Sequence, residues 1–206
     1  MASTTIDLDT ELSAVNSILG AIGQAPVTSL VYDNPEISFI YNLLRDANVD
    51  TQAEGWHFNT ERHVKYTPDS VTGKIAIAND VLQMDVSEGW STRIYDVVRR
   101  NGYLYDKIDH TDDFSTIESL DLDVVKLQSY EDLPVIFRRY ITYRASRMAA
   151  TQLVANPKLV ELIAQQEALS RAALMEYECN QGNHSMFGFP ENTAYQTYQP
   201  WKNLRR

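Results

Sequence analysis

Cysteine is nearly absent from this 206-residue chain: Cys179 is the only one. A single thiol excludes an internal disulfide, a CxxC redox pair and a Cys/His zinc cluster. The four histidines (His57, His63, His110, His184) are scattered, and the six-residue step from His57 to His63 fits no helical or finger spacing for a metal. The chain also lacks a run of the roughly 18 apolar residues that a membrane-spanning helix needs. "MASTTIDLDTELSAVN" offers no basic stretch followed by an apolar one, so no signal peptide is expected. The expectation is a soluble protein made in a reducing cytoplasm, or carried in a particle assembled there. Positive charge is scarce as well: 18 Lys and Arg stand against 28 Asp and Glu, a net of −10. A general nucleic-acid surface needs a basic face to displace counterions from phosphate, and this balance argues against one.

What the chain does have is 44% hydrophobic residues, enough for an ordinary core, and 12 tyrosines. Tyrosine suits both β-sheets and surfaces that become interfaces, and composition leaves both readings open.

The pattern runs helix, sheet, helix, tail. "DTELSAVNSILGAIG" reads as a helix with Asp9 or Thr10 as N-cap, Leu12, Val15, Ile18, Leu19 and Ile22 on one face, and Gly23 as stop. "NPEISFIYNLLRDANVDTQAEG" follows with an Asn34 cap, Pro35 in the first turn and a stripe of Ile37, Ile40, Tyr41 and Leu44, ending at Gly55. From Trp56 the period drops to two. "WHFNTERHVKY", "GKIAIAND", "VLQMDVS", "RIYDVVRRNGYLYD" and "LDLDVVKLQSY" read as short strands, with Asn101-Gly102 the clearest hairpin signal. A meander of antiparallel strands over 56–129 is expected. Residues 106–132 hold nine acids against two lysines, a net of −7.

Helix returns in "YEDLPVIFRRYITYRASRMAATQLVA", whose stripe is Leu133, Ile136, Phe137, Tyr140, Ile141, Arg144, Ala145 and Met148. Asn156-Pro157 breaks it and opens a long helix, with Leu159, Leu162, Ile163, Leu169, Ala173 and Tyr177 expected inward and Gly182 as C-cap. Beyond Asn183 no period is visible. Phe187, Phe189, Tyr195, Tyr198 and Trp201 lie among polar residues, Pro and Gly, the composition of an arm that orders on a partner. The fold class expected is α+β: a helical bundle from 1–55 and 130–182, an inserted antiparallel β-sheet domain at 56–129, and an extended C-terminal arm at 183–206.

No P-loop, G-x-S-x-G, H-E-x-x-H or dinucleotide glycine fingerprint occurs. Catalytic, cofactor and metal sites are therefore expected to be none. The acidic run 106–132 reads as a solvated or lumen-facing surface, because blocks of one charge repel and solvate.

One stretch stands out. Arg138, Arg139, Arg144 and Arg147 fall within ten residues with no acid among them. A phosphate clamp is disfavoured, because the arginines interrupt an apolar stripe in an acidic chain. A solvated face suits Arg139 better than Arg144. The favoured reading is a subunit or interhelix interface, in which guanidinium pairs with carboxylate; Glu161, Glu167, Glu176 and Glu178, of the next helix or of a neighbouring copy, could supply it.

"ELSAVNSILGAIGQAPV", "AEGWHFNTE", "NGYLYD", "DLPVIFRRYITYRASRMAA" and "EALSRAALMEYE", in this order across roughly residues 9 to 180, resemble the tail tubular protein A family, the head-to-tail adaptors of short-tailed bacteriophages. The resemblance implies a structural virion protein and no enzyme. It implies a dodecameric ring beneath the portal protein, with a tail nozzle similar to tubular protein B docked below and DNA passing through the channel without sequence-specific binding. The helical layer would then face the portal and neighbouring subunits, and the sheet the nozzle. The arm from about Asn183 departs most from the family pattern. The competing class is a peptidoglycan hydrolase hidden in the β insertion, which would need a carboxylate pair with one raised pKa.

Overall fold

The computed structural model describes residues 10–31, 34–87 and 95–181. Helix α1 (Glu11–Ala21) is capped by Thr10, whose side chain accepts from the Ser13 N–H, and buries Ala14, Val15, Ile18 and Leu19. Gly23, at φ +81, turns the chain out of it with a conformation that glycine adopts freely. The Asn16 side chain then clasps Val27, donating to its carbonyl at 2.9 Å and accepting its N–H at 2.7 Å. Helix α2 (Pro35–Gln52) starts as the sequence reads, with Asn34 accepting from Glu36 N and Pro35 in the first turn. Its buried stripe continues past Leu44 to Ala47, Asn48, Thr51 and Gln52.

The strands depart from a meander. Strands β1 (Thr60–Tyr66), β2 (Val81–Val86) and β5 (Leu120–Lys126) form one antiparallel sheet in the order β1-β5-β2. Strands β3 (Val97–Arg100) and β4 (Tyr103–Asp106) form a separate hairpin. The last strand takes the centre because it buries Leu120, Leu122, Val124 and Val125, whereas β1 buries no residue fully and β2 only Val81. The Asn101-Gly102 turn joins β3 to β4 with both residues at positive φ.

Two further strand expectations fail. "GKIAIAND" forms only an isolated bridge, Ala76 to Tyr103, although Ile75 and Ile77 are buried. Trp56 and Phe58 precede β1 and pack edge-on against Phe137, at centroid distances of 5.1 and 4.6 Å. Their rings belong to the helical core, whose large apolar area outweighs the local alternation.

A short 3-10 turn (Tyr130–Asp132) leads into helix α3 (Val135–Ala149), which starts after Leu133 rather than at it. A π turn (Ala150–Val154) closes on Ala155 in the left-handed region. Asn156 then caps helix α4 (Pro157–Gln181), accepting from Lys158 N at 3.0 Å. Helix α3 touches α1, α2 and α4. The helices, together with Trp56, Tyr130 and Leu133, bury one apolar cluster. A second cluster, of Ile75, Ile77, Val81, Val97, Leu104, Phe114, Leu120, Leu122 and Val124, lies in the sheet part.

Helix α4 bears out part of the expectation, with Ile163 buried and Tyr177 packed against Phe137, and departs from the rest. Ile163 and Leu174 are its buried residues, while Leu162, Leu169 and Ala173 are exposed. Positions 163, 167, 171 and 174 share one helical face, so Glu167 and Arg171 turn toward the bundle along with the two apolar residues. Gly182, expected as the C-cap, lies outside the described residues.

Candidate functional site

The four arginines of α3 go to four different environments. Arg138 is buried, and its backbone carbonyl accepts from the Tyr130 hydroxyl at 3.2 Å and from Thr142 Oγ1 at 2.8 Å. Arg139 is exposed and lines a groove. Arg144 reaches back to α2 and the turn after it, with Nη2 3.0 Å from Asp50 Oδ2 and Nη1 3.8 Å from Glu54 Oε1. Arg147 meets Glu167 of α4 with two nitrogens, Nε to Oε2 and Nη2 to Oε1 at 3.3 Å. The Glu167 hydrogen bond raises the Arg147 pKa against the opposing effect of burial.

Of the expected acidic partners, Glu167 meets one of these arginines, Arg147. Glu161 pairs with Lys158 on its own helix, and Glu178 accepts the His57 N–H at 2.7 Å. The carboxylates for Arg144 come from the end of α2 and the turn after it, because α3 packs against both α2 and α4.

A fifth arginine completes the network. Arg171 of α4 donates to both oxygens of Glu54, through Nη1 at 3.2 Å and through Nη2. Its guanidinium lies 4.9 Å from the Trp56 ring centroid and 5.4 Å from that of Tyr140. Burial works against its charge, but Glu54 and Tyr140 outweigh burial and its pKa is raised. Glu54 thus joins α3 and α4 to the end of α2. The sequence signal for Arg171 was its place four residues after Glu167 and three before Leu174, on the inward face.

Beside this cluster lies a buried polar joint. Gln52 Nε2 bonds Asn48 Oδ1 at 2.8 Å and the Gln128 carbonyl at 3.0 Å, while its Oε1 accepts the Gln128 N–H at 2.8 Å. Asn59 donates to the Gln52 carbonyl at 2.9 Å and accepts the Trp56 N–H at 2.8 Å. The Trp56 indole N–H donates to the Thr51 carbonyl at 2.6 Å. Both chain crossings between helices and sheet, near residues 55 and 128, are therefore tied to one residue, Gln52, through its carbonyl and its side chain.

The groove lies between α1, α3 and α4, with a volume of about 470 Å³. Ser17, Arg139, Tyr143, Ser146, Leu162 and Gln166 are among its walls, and among the described residues Arg139 is the only charged one lining it. Among the described residues no three His, Cys, Asp or Glu gather to hold a metal ion, and no helix is long and apolar enough to cross a membrane. In the acidic run, Asp113 has a lowered pKa, first through the Ser115 N–H and then its side chain. Asp69 is lowered too, chiefly by the Thr72 hydroxyl. Both shifts run opposite to what a general acid requires. Phe187, Phe189, Tyr195, Tyr198 and Trp201 lie outside the described residues.

A family model described as tail tubular protein matches residues 12–184, well over half of the chain. No curated protein matches it.

Proposed function

The chain belongs to the tail tubular protein family, and from that premise we propose that this phage tail structural protein is the head-to-tail adaptor, a ring of copies seated between the portal and the tail nozzle. The family match is the observation that carries this reading. In it the bundle of 1–55 and 130–182 packs against the portal and neighbouring subunits, and the sheet part at 56–129 meets the nozzle.

Charge supports the same reading. A net of −10, with much of it in residues 106–132, repels DNA phosphate, so DNA crosses the ring without sequence-specific binding. The arginines divide the work. Arg144 and Arg147, held by Asp50, Glu54 and Glu167, fix the helical layer as a rigid block, and Arg138 sits within it. Arg139, at the open groove, is the one placed for contact between subunits. The C-terminal arm, with Phe187, Phe189, Tyr195, Tyr198 and Trp201, docks on a partner.

Native mass spectrometry of the protein alone and mixed with the portal of the same phage tests the assignment. A large, discrete portal-bound complex is expected, and truncation after Gly182 should weaken it while leaving the circular dichroism spectrum folded. Failure to bind the portal across a range of salt would overturn the adaptor role.

A further inference from the structure

Asn101-Gly102 is the one Asn-Gly pair in the chain. Asn101 is exposed at the tip of the β3–β4 hairpin with φ +52, and Gly102 follows with φ +81. A Cβ added at Gly102 would meet nothing within 4 Å, so the turn is uncrowded there. Among the described residues nothing is hydrogen-bonded to the Asn101 side chain.

The other described asparagines are held or shielded. Asn16 clasps Val27 with both amide atoms. Asn48 and Asn59 are buried and bonded to Gln52, and Asn79 accepts from Arg99. Asn34 and Asn156 precede Pro35 and Pro157, whose nitrogens carry no hydrogen. Asn42 and Asn180 lie inside α2 and α4, where the helix fixes the following amide.

We propose that Asn101 is a site of spontaneous modification, at which the Gly102 backbone nitrogen attacks the Asn101 side-chain amide. Gly102 N gives its proton to solvent and bonds to Asn101 Cγ, while the Cγ–Nδ2 bond breaks and Nδ2 leaves as ammonia. Water then opens the resulting succinimide at either carbonyl, giving aspartate or isoaspartate, with no oxidation or reduction in either step. Glycine permits the attack because it has no Cβ to obstruct the approach. The tip of a short hairpin opens locally more readily than the core, and opening supplies the backbone rotation the attack needs. The modification goes beyond the adaptor reading and does not depend on it.

The position gives the change a consequence. The Gly102 carbonyl accepts the Ile77 N–H at 2.8 Å, and the Leu104 N–H donates to the Ile75 carbonyl at 2.9 Å. These bonds hold Ile75 and Ile77 beside β4, where both are buried with Leu104 in the sheet part's apolar cluster. Isoaspartate routes the backbone through the side chain and adds a methylene to the turn, which shifts that register. Aspartate keeps the chain length and sets a carboxylate next to Arg100, whose guanidinium lies 3.9 Å from the Tyr105 ring centroid.

Peptide mass spectrometry of the full chain, incubated folded at mildly alkaline pH, tests the site. The mass gain of an amide turned to an acid is expected at Asn101 before any other described asparagine. Enzymatic methylation with a labelled methyl donor should find isoaspartate at the same position. Gly102→Ala should lose most of the signal, with circular dichroism confirming that it is folded. Hydrogen exchange at the Ile77 and Leu104 amides should quicken in the isoaspartate-bearing protein and stay at the unaged rate in Asn101→Asp. An unchanged Asn101 peptide, an earlier change at another described asparagine, or Gly102→Ala converting as fast as wild type would each overturn the proposal. Unaltered exchange at Ile77 and Leu104 in isoaspartate-bearing protein would overturn its structural consequence.

Discussion

The side-chain amide of Gln52 pairs with the backbone of Gln128 as one strand pairs with another, donating to its carbonyl at 3.0 Å and accepting its N–H at 2.8 Å. Gln52 is buried at the last turn of α2, and Gln128 follows β5. One side chain thus locks the exit from the helices to the return into them. Gln52→Ala should cost about 2–4 kcal/mol, because it strands buried backbone groups and the Asn48 amide. Gln52→Glu keeps the shape but loses the donor, and should lie close to the alanine variant. Chemical denaturation of the three proteins measures this.

Glu54 receives two arginines from two helices, so removing it should hurt more than removing either. Glu54→Ala is expected to cost about 2 kcal/mol, and Arg144→Ala or Arg171→Ala about 1 kcal/mol each, since all three are partly solvated. A double-mutant cycle on Glu54 and Arg171 should return a coupling near 1 kcal/mol, to which the Trp56 and Tyr140 rings add nothing because they remain in both backgrounds. Arg144→Glu should therefore lower stability in the isolated chain, before any assembly is asked of it. Unchanged denaturation midpoints in this series would show that the network is ornamental.

Among the described glycines, Gly73 is the least able to change. Its φ is +69, and an added Cβ would lie 2.1 Å from Asp113 Oδ1. That oxygen is held by the Ser115 N–H at 2.9 Å and cannot simply swing away. Gly73→Ala should cost about 2 kcal/mol or more, whereas Gly102→Ala, at φ +81 with open space around it, should cost only about 1 kcal/mol of backbone strain. Thermal melts of the two variants compare them directly.

Stability should carry an acid limb from Asp113. Its folded pKa lies below the unfolded value, so its contribution is complete above about pH 4 and is lost as pH falls through the folded pKa. Asp113→Asn should therefore lower stability at neutral pH and converge on wild type in acid. Lys126 acts with the opposite sign. The Glu61 hydrogen bond, outweighing burial, raises its pKa above 10.5. Its contribution is complete below that value and lost as pH climbs through the folded pKa, so Lys126→Met should flatten the alkaline limb. Denaturation midpoints read across pH give both.

The helix caps were legible because a cap is a contact between residues two or three apart. Thr10, Asn34-Pro35 and Asn156-Pro157 each carry their partner within the same few residues, and so does the Asn101-Gly102 turn. The failures involve partners far away in the chain. "GKIAIAND" alternates like a strand, but only one residue of it finds a bridging partner. Trp56 and Phe58 alternate too, and Phe137 draws them into the helical core. In α4 the leucines suggested an inward face, yet two charged residues took that face because Arg147 and Glu54 waited there to neutralise them.

By itself the sequence determined the four helices and three of their N-caps, the Asn101-Gly102 hairpin, the α+β class and the family, since local spacing, caps and ordered phrases encode these. Only the tertiary structure decided which strand is central, which carboxylate each arginine meets, and which side of α4 faces out. Those outcomes depend on pairing between residues far apart in the chain, and a charge or an apolar side chain has no fixed side until its partner is in place.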